Sequence, residues 1–285
     1  MLNSISKDFL SYFSVEVTPN IYLKNKEVLN SISKQKRIFI AYIEGSNEED
    51  IINTAKLIRQ DGNIPVPHIP ARQIKDKKEL KNFLDALKSE ANVCEVLLIA
   101  GSNKKPYGEF ESSIQLIETG YFNEGFKTIY FAGHPEGNVD IEKSNISLDA
   151  SLKLKQDFAN NTQTNVVLLT QFCFDSNQII LWANKLKEDG IHLPIEIGVA
   201  GPAKLTSLIK YSIDCGVGPS LKILENNFSN LTELATTYSP VDFLNDLIQK
   251  INANKDANIQ NIHFYPFGGI KELIKYINQS RNYIF

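Results

Sequence analysis

Cysteine is scarce in this chain: Cys94, Cys173 and Cys215 are the only three in 285 residues, far apart and odd in number. No CxxC or Cys/His ligand spacing occurs, so neither a disulfide framework nor a zinc site is expected. Charge of one sign is missing too. A formal net charge of −3 and a pI near 5.9 give no electrostatic reason to expect nucleic acid or an anionic membrane as partner. No run of about 18 apolar residues occurs, which argues against a membrane helix. The opening MLNSISKDFL lacks the long apolar stretch of a secretory leader. A soluble cytoplasmic protein is expected. No G-x-G-x-x-G follows the first strand pattern, which counts against a Rossmann dinucleotide site.

What is present is alternation. Strand-like runs fall at Phe13–Thr18, Arg37–Ile43, Ile64–Pro70, Glu95–Ala100, Lys127–Ala132, Val166–Thr170, Leu193–Ile197 and Asn261–Phe267. The run at Ile64–Pro70 holds several prolines, which point to an edge or distorted strand. Helical spacing appears between most of these runs. Ser46 or Asn47, Asp76, Ser147, and Asp175 or Ser176 stand where N-caps are wanted, and Pro202 suits the first turn of a helix running to about Ile213. A short helix over 220–228 and an amphipathic one over Val241–Ala253 follow. Residues 1–12 read as a lead-in helix or loose end. Eight βα units in under 300 residues predict an α/β fold, a single-domain (β/α)8 TIM barrel over residues 1–285, with a doubly wound open sheet as the alternative.

In a parallel barrel, function collects at the carboxyl ends of the strands. Those ends supply Glu16, Glu44, His68, Ser102 with Asn103, His134 with Glu136, Gln171, the Gly198–Lys204 loop, and His263 with Tyr265. Glu16 sits between Val15 and Val17, and a carboxylate buried there must be either paired or used. Gln171 ends an apolar run, so its amide either meets a ligand or bonds nearby backbone. Glu44 reads as a turn residue and Asp175 as a helix cap. His68 and His134 read first as hydrogen-bonded rim residues, with a ligand role as the alternative.

Six stretches coincide in order: SVEVTP, PHIPAR, AGHPEG, LLTQFCFD, GVAGPAK and HFYPFGG. Together they resemble the methylenetetrahydrofolate reductase family over almost the whole chain. The resemblance implies a (β/α)8 barrel that holds FAD and passes hydride from NADH or NADPH to 5,10-methylenetetrahydrofolate, giving 5-methyltetrahydrofolate, or runs in reverse. It implies that Glu16 is the general acid, with a pKa raised by its apolar strand. It implies that Gln171, Ser102 and Tyr265 stand at the folate, and that His68, Ala100, His134, Glu136, Gly137, Asn138 and Lys155 stand at FAD. The partners implied are a tetrahydrofolate derivative and a nicotinamide dinucleotide, with a homo-oligomer expected.

The chain departs from the family at five points, one being His134, where the family more often has a tyrosine. Ala100 stands for an arginine, Ser102 for an aspartate, Asn138 for a histidine, and Gly268-Gly269 for a terminal arginine. The losses at Ala100 and Ser102 motivate a different reading, a folate-binding or regulatory barrel with weak or no flavin binding. A phosphate-binding aldolase is a third; the absence of a lysine at a Schiff-base position in a strand counts against it.

Overall fold

The computed structural model describes residues 12–31, 34–43, 45–138, 147–215, 217, 237–254 and 257–282. Glu44, residues 1–11 of the lead-in and the expected helix over 220–228 lie outside the described residues. Eight parallel strands close into a barrel in the order β1-β10-β7-β6-β5-β4-β3-β2. They are β1 (Ser14–Val17), β2 (Arg37–Ile40), β3 (Ile64–Pro70), β4 (Glu95–Ile99), β5 (Thr128–Gly133), β6 (Asn165–Thr170), β7 (Ile195–Ala200) and β10 (Ile259–Tyr265). A separate two-stranded antiparallel sheet joins β8 (Ala203–Lys204) to β9 (Thr237–Tyr238). The helices are α1 (Pro19–Asn30), α2 (Glu48–Gln60), α3 (Lys77–Ala91), α4 (Ser113–Glu118), α5 (Leu148–Asn160), α6 (Ser176–Glu188), α7 (Leu205–Asp214), α8 (Val241–Ala253) and α9 (Ile270–Asn282). Among the described residues, no helix is long and apolar enough to cross a membrane.

The chain forms two compact units. One holds residues 14–132 and 151–168; the other holds 1–13, 133–150 and 169–285. In the first, the register runs Glu16↔Phe39↔Val66 and His68↔Leu97↔Tyr130. Because strand side chains alternate, Glu16, Arg37, Phe39, His68, Glu95 and Tyr130 all share one face. The opposite face meets helices, with Phe131 edge-on to Phe158 of α5, so the polar set faces the barrel lumen.

The prolines of β3 do not make it an edge strand. Ile64 N donates to Lys36 O toward β2, so Pro65 and Pro67, of opposite parity, would have aimed their N–H groups at β4. The ladder to β4 is confined to His68–Pro70, since proline has no hydrogen to donate below it, while the ladder to β2 runs over Ile64–Pro67.

Local signals explain most helix starts. Asn47 and Asp76 accept from Asp50 N and Glu79 N at 2.8 Å each. Asp175 Oδ1 accepts from Asn177 N and Gln178 N, the expected cap. Three expectations are corrected. Helix α1 had no counterpart in the sequence reading; Thr18 caps it with Pro19 at its first turn, but Ile21 and Leu23 are exposed, so no apolar stripe marks it. Strand β7 runs Ile195–Ala200 rather than Leu193–Ile197, taking in residues read as loop. Pro202 precedes β8, and the next helix starts only at Leu205, because Ala203 and Lys204 pair with Thr237 and Tyr238 instead.

Candidate functional site

In the first unit, Glu16 and His68 come together. His68 Nε2 lies 3.3 Å from Glu16 Oε2, yet the nitrogen makes no hydrogen bond among the described residues; the two groups touch off-axis. Phe39 stands edge-on to His68 and to Tyr130. The apolar strand pattern predicts a sealed Glu16, but its side chain keeps 22% exposure and lies against His68. Of the two readings of this acid, pairing is therefore met, and the pair is open enough to meet a ligand.

Lower on the same face, Arg37 clamps the buried Glu95 with Nε at 2.6 Å and a second nitrogen at 3.3 Å, and the Tyr130 hydroxyl lies 3.5 Å from the same carboxylate. The amino-terminal part of this lumen face is thus held by a two-point charge pair, and its carboxyl end carries the looser acid–histidine contact.

Ala100 and Ser102 lie on the loop after β4. Arg72, from the PHIPAR stretch, orders that loop: its Nε donates to Glu111 O and an Nη to Asn103 O. The backbone adds Arg72 N to Ala100 O and Tyr107 N to Arg72 O. A Cβ on Gly108 would sit 1.9 Å from Lys75 O, so only glycine lets the loop lie this close. Ser102 is exposed on this fixed loop.

Lys155 faces the helical side of β5. It is 5% exposed, its Nζ donates to Ala132 O at 3.1 Å and stands over the Phe131 ring. Burial lowers its pKa to about 8. Its ammonium joins α5 to the end of β5, on the face of the sheet away from Glu16 and His68.

In the second unit, His134 to Asn138 follow β5. Gly137 N donates to His134 O, closing a turn with Gly137 at φ +81°, a backbone angle suited to glycine. Gln171 N donates to Gly133 O, and its side-chain oxygen lies 3.4 Å from Phe172 N; of the two readings of this amide, the backbone one accounts for its oxygen. Tyr265 donates its hydroxyl to Thr170 O at 3.1 Å. Its ring crosses β7 where a Cβ on Gly198 would lie 2.6 Å away.

Tyr265, Phe267 and Tyr211 form a ladder of near-parallel rings, with Phe172 edge-on to the first two. His263 stands edge-on to Tyr265. Phe174 packs on Tyr238 of β9, whose hydroxyl pKa is raised by burial. The wall was half legible: TQFCFD and HFYPF supply most of its rings, while Tyr211 and Tyr238 carried no signal. The absent terminal arginine also has a steric reason. A Cβ on Gly268 would stand 2.0 Å from Pro202 O, so no side chain fits there.

Cys173, given no role in the sequence analysis, places its sulfur 3.0 Å from Glu136 Oε1. Nothing in the sequence links residues 37 positions apart. Among the described residues, no group of three or more His, Cys, Asp or Glu could hold a metal ion.

No family model matches this sequence. Among solved structures, the chain is similar to the carboxyl transferase domain of Rhizobium etli pyruvate carboxylase with 3-bromopyruvate. That pair has 9% identity, a TM-score of 0.42, and coverage of 87% of this chain and 47% of the other; this chain spans about half that structure's length. It is also similar to TsXylA, an intracellular xylanase from Thermoanaerobacterium saccharolyticum, with 13% identity, TM-score 0.41, and coverage of 92% and 88%. A third is D-psicose 3-epimerase in the presence of D-fructose, with 11% identity, TM-score 0.41, and coverage of 93% and 90%. At such scores these likenesses bear on neither substrate nor chemistry.

Proposed function

We propose that this protein is an oxidoreductase of the methylenetetrahydrofolate reductase type, using FAD to move hydride between NADH or NADPH and 5,10-methylenetetrahydrofolate. The observation that carries the reading is the Glu16–His68 pair. It puts a partly exposed carboxyl group and an imidazole nitrogen without a hydrogen bond at 3.3 Å on the lumen face, at positions the family resemblance gives to the acid and to a flavin contact. A carboxyl beside an imidazole can give a proton to a leaving amine nitrogen and recover one from its neighbour.

In this reading each unit contributes its own contacts to the cofactor. The buried His68 Nε2 wants a polar partner, and the Gly137 turn offers backbone beside Glu136 and Asn138. FAD, when bound, supplies the two-electron carrier between nicotinamide and folate. Glu16 protonates the folate nitrogen as the methylene bridge opens. Gln171, Ser102 and Tyr265 orient the pterin, with Tyr265 fixed by its bond to Thr170 O. His68, His134, Glu136, Gly137 and Asn138 hold the flavin.

The purified protein should be yellow, bleach on NADH or NADPH, and regain colour with methylenetetrahydrofolate, whereas Glu16→Gln should keep its flavin and lose folate turnover. Full turnover in Glu16→Gln would sink the assignment.

One observation favours a second reading, a folate-binding barrel with weak flavin affinity. Two basic side chains after β3 and beside β5 are already committed, Arg72 to loop carbonyls and Lys155 to Ala132 O, and Ala100 offers no charge. A colourless protein that binds reduced folate and stays inactive with added FAD would select it.

A further inference from the structure

The turn after β5 is held by two arms that start in one helical turn. Cys173, just beyond β6, is 1% exposed. Its sulfur lies 3.0 Å from Glu136 Oε1 and 3.4 Å from Asp175 N. A thiol has one proton, the carboxylate accepts, and the amide donates, so the direction is fixed: Asp175 N–H to sulfur, then S–H to Glu136. Asp175 O, at 3.3 Å, competes for that proton as a neutral and more distant acceptor, so the carboxylate wins. Asp175 is itself locked as the cap of α6 through Asn177 N and Gln178 N. The second arm leaves the same turn, where Gln178 Nε2 donates to Pro135 O at 2.9 Å. Pro135 and Glu136 are the central residues of the turn closed by Gly137 N and His134 O.

We propose that Cys173 is a positioning residue. Its thiol aims the Glu136 carboxylate and thereby sets the 134–138 turn in one geometry for the ligand that the turn receives. This rests on the reading of that turn as a flavin contact. A nucleophilic or redox role does not suit a sulfur this buried, since such thiols need access to their reagent.

The test uses the whole protein with Cys94 and Cys215 changed to serine, leaving one thiol. The infrared S–H stretch of Cys173 should lie at low frequency, as for a strongly bonded thiol, and should move up in Glu136→Gln. A band that does not move overturns the clasp. FAD titration then reads its consequence. Cys173→Ala should weaken binding about tenfold, the worth of one hydrogen bond to a charged group. Cys173→Ser, which keeps a donor, should come back to within about twofold on the same scale. Unchanged binding in Cys173→Ala, or a serine variant as weak as the alanine one, overturns the positioning role. If the parent protein takes up no FAD, the flavin reading and the ligand half of this proposal fall together, while the infrared band still decides the clasp.

Discussion

The two units solve the strand-end problem in opposite ways. In the unit built on β1 to β5, the lumen face is polar and held by close polar pairs: the Arg37–Glu95 ion pair, and Glu16 against His68. In the other, the carboxyl ends of β6, β7 and β10 carry a wall of rings with its close approaches made by Gly198, Gly201 and Gly268. The first should therefore fail when a charge is deleted and tolerate modest changes of volume. The second should tolerate loss of a charge and fail when volume is added. The difference locates chemistry as well as weakness, since proton transfer needs the polar face and planar ligands favour the aromatic one.

Four experiments would break or sharpen that contrast. The largest effect is expected in turnover. Glu16→Gln should lower kcat by about 10²–10⁴, the usual worth of a general acid, with folding unchanged by circular dichroism. Next is the buried charge pair. Arg37→Ala leaves Glu95 buried without its guanidinium and should cost about 3 kcal/mol in urea unfolding, because breaking a buried pair exposes the full desolvation penalty. Adding Glu95→Gln to that variant should recover a large part of the loss.

In the aromatic unit, Gly198→Ala adds a methyl 2.6 Å from the Tyr265 ring and 2.3 Å from Thr170 O. It should cost about 1–3 kcal/mol by overpacking, and the Tyr265 ring should be displaced, detectable as altered near-ultraviolet circular dichroism. Gly190→Ala, with no atom within 4 Å but φ at +79°, reads backbone strain alone; since Gly198 has no such angle, unchanged stability and ring signal in Gly198→Ala would remove packing as the constraint.

The smallest effect concerns pH. Glu48, on α2, has its carboxyl pKa raised to about 7, chiefly by burial and then by Glu79. The folded state thus holds this proton more tightly than the unfolded chain does. Its stabilising contribution is complete below about pH 4.5 and is lost as pH rises to about 7. Half of the group is solvated, so the loss should be about 1 kcal/mol after screening. Glu48→Gln should flatten it, giving a variant whose Tm relative to the parent is higher at pH 8 than at pH 5. A constant difference at both pH values would remove Glu48 as the source.

The sequence showed much of this frame because the barrel's local signals are strong. The β3 bounds and those of α8 coincide with the expected ones, as an isolated apolar run and a clean amphipathic period allow. Where the reading slipped, the cause lies elsewhere in the chain. Gly198 reads as a turn residue, but it is a strand residue kept small by the Tyr265 ring, 67 positions later in sequence. Helix α1 buries only Tyr22 and Leu29, too few for a stripe, and Thr18-Pro19 was its one local mark. The Glu16 environment depended on His68, and the Cys173–Glu136 contact on a fold that one-dimensional patterns do not contain.

The prolines of β3 have one more consequence. A strand in a closed ring could in principle slide along its neighbours, carrying every side chain to a new height. With no amide hydrogen at residues 65 and 67, β3 offers β4 no rung below His68, so the hydrogen-bonded pairing of the two strands is concentrated at His68–Pro70. The imidazole of His68 is thereby carried on the first hydrogen-bonded rung that β3 and β4 share.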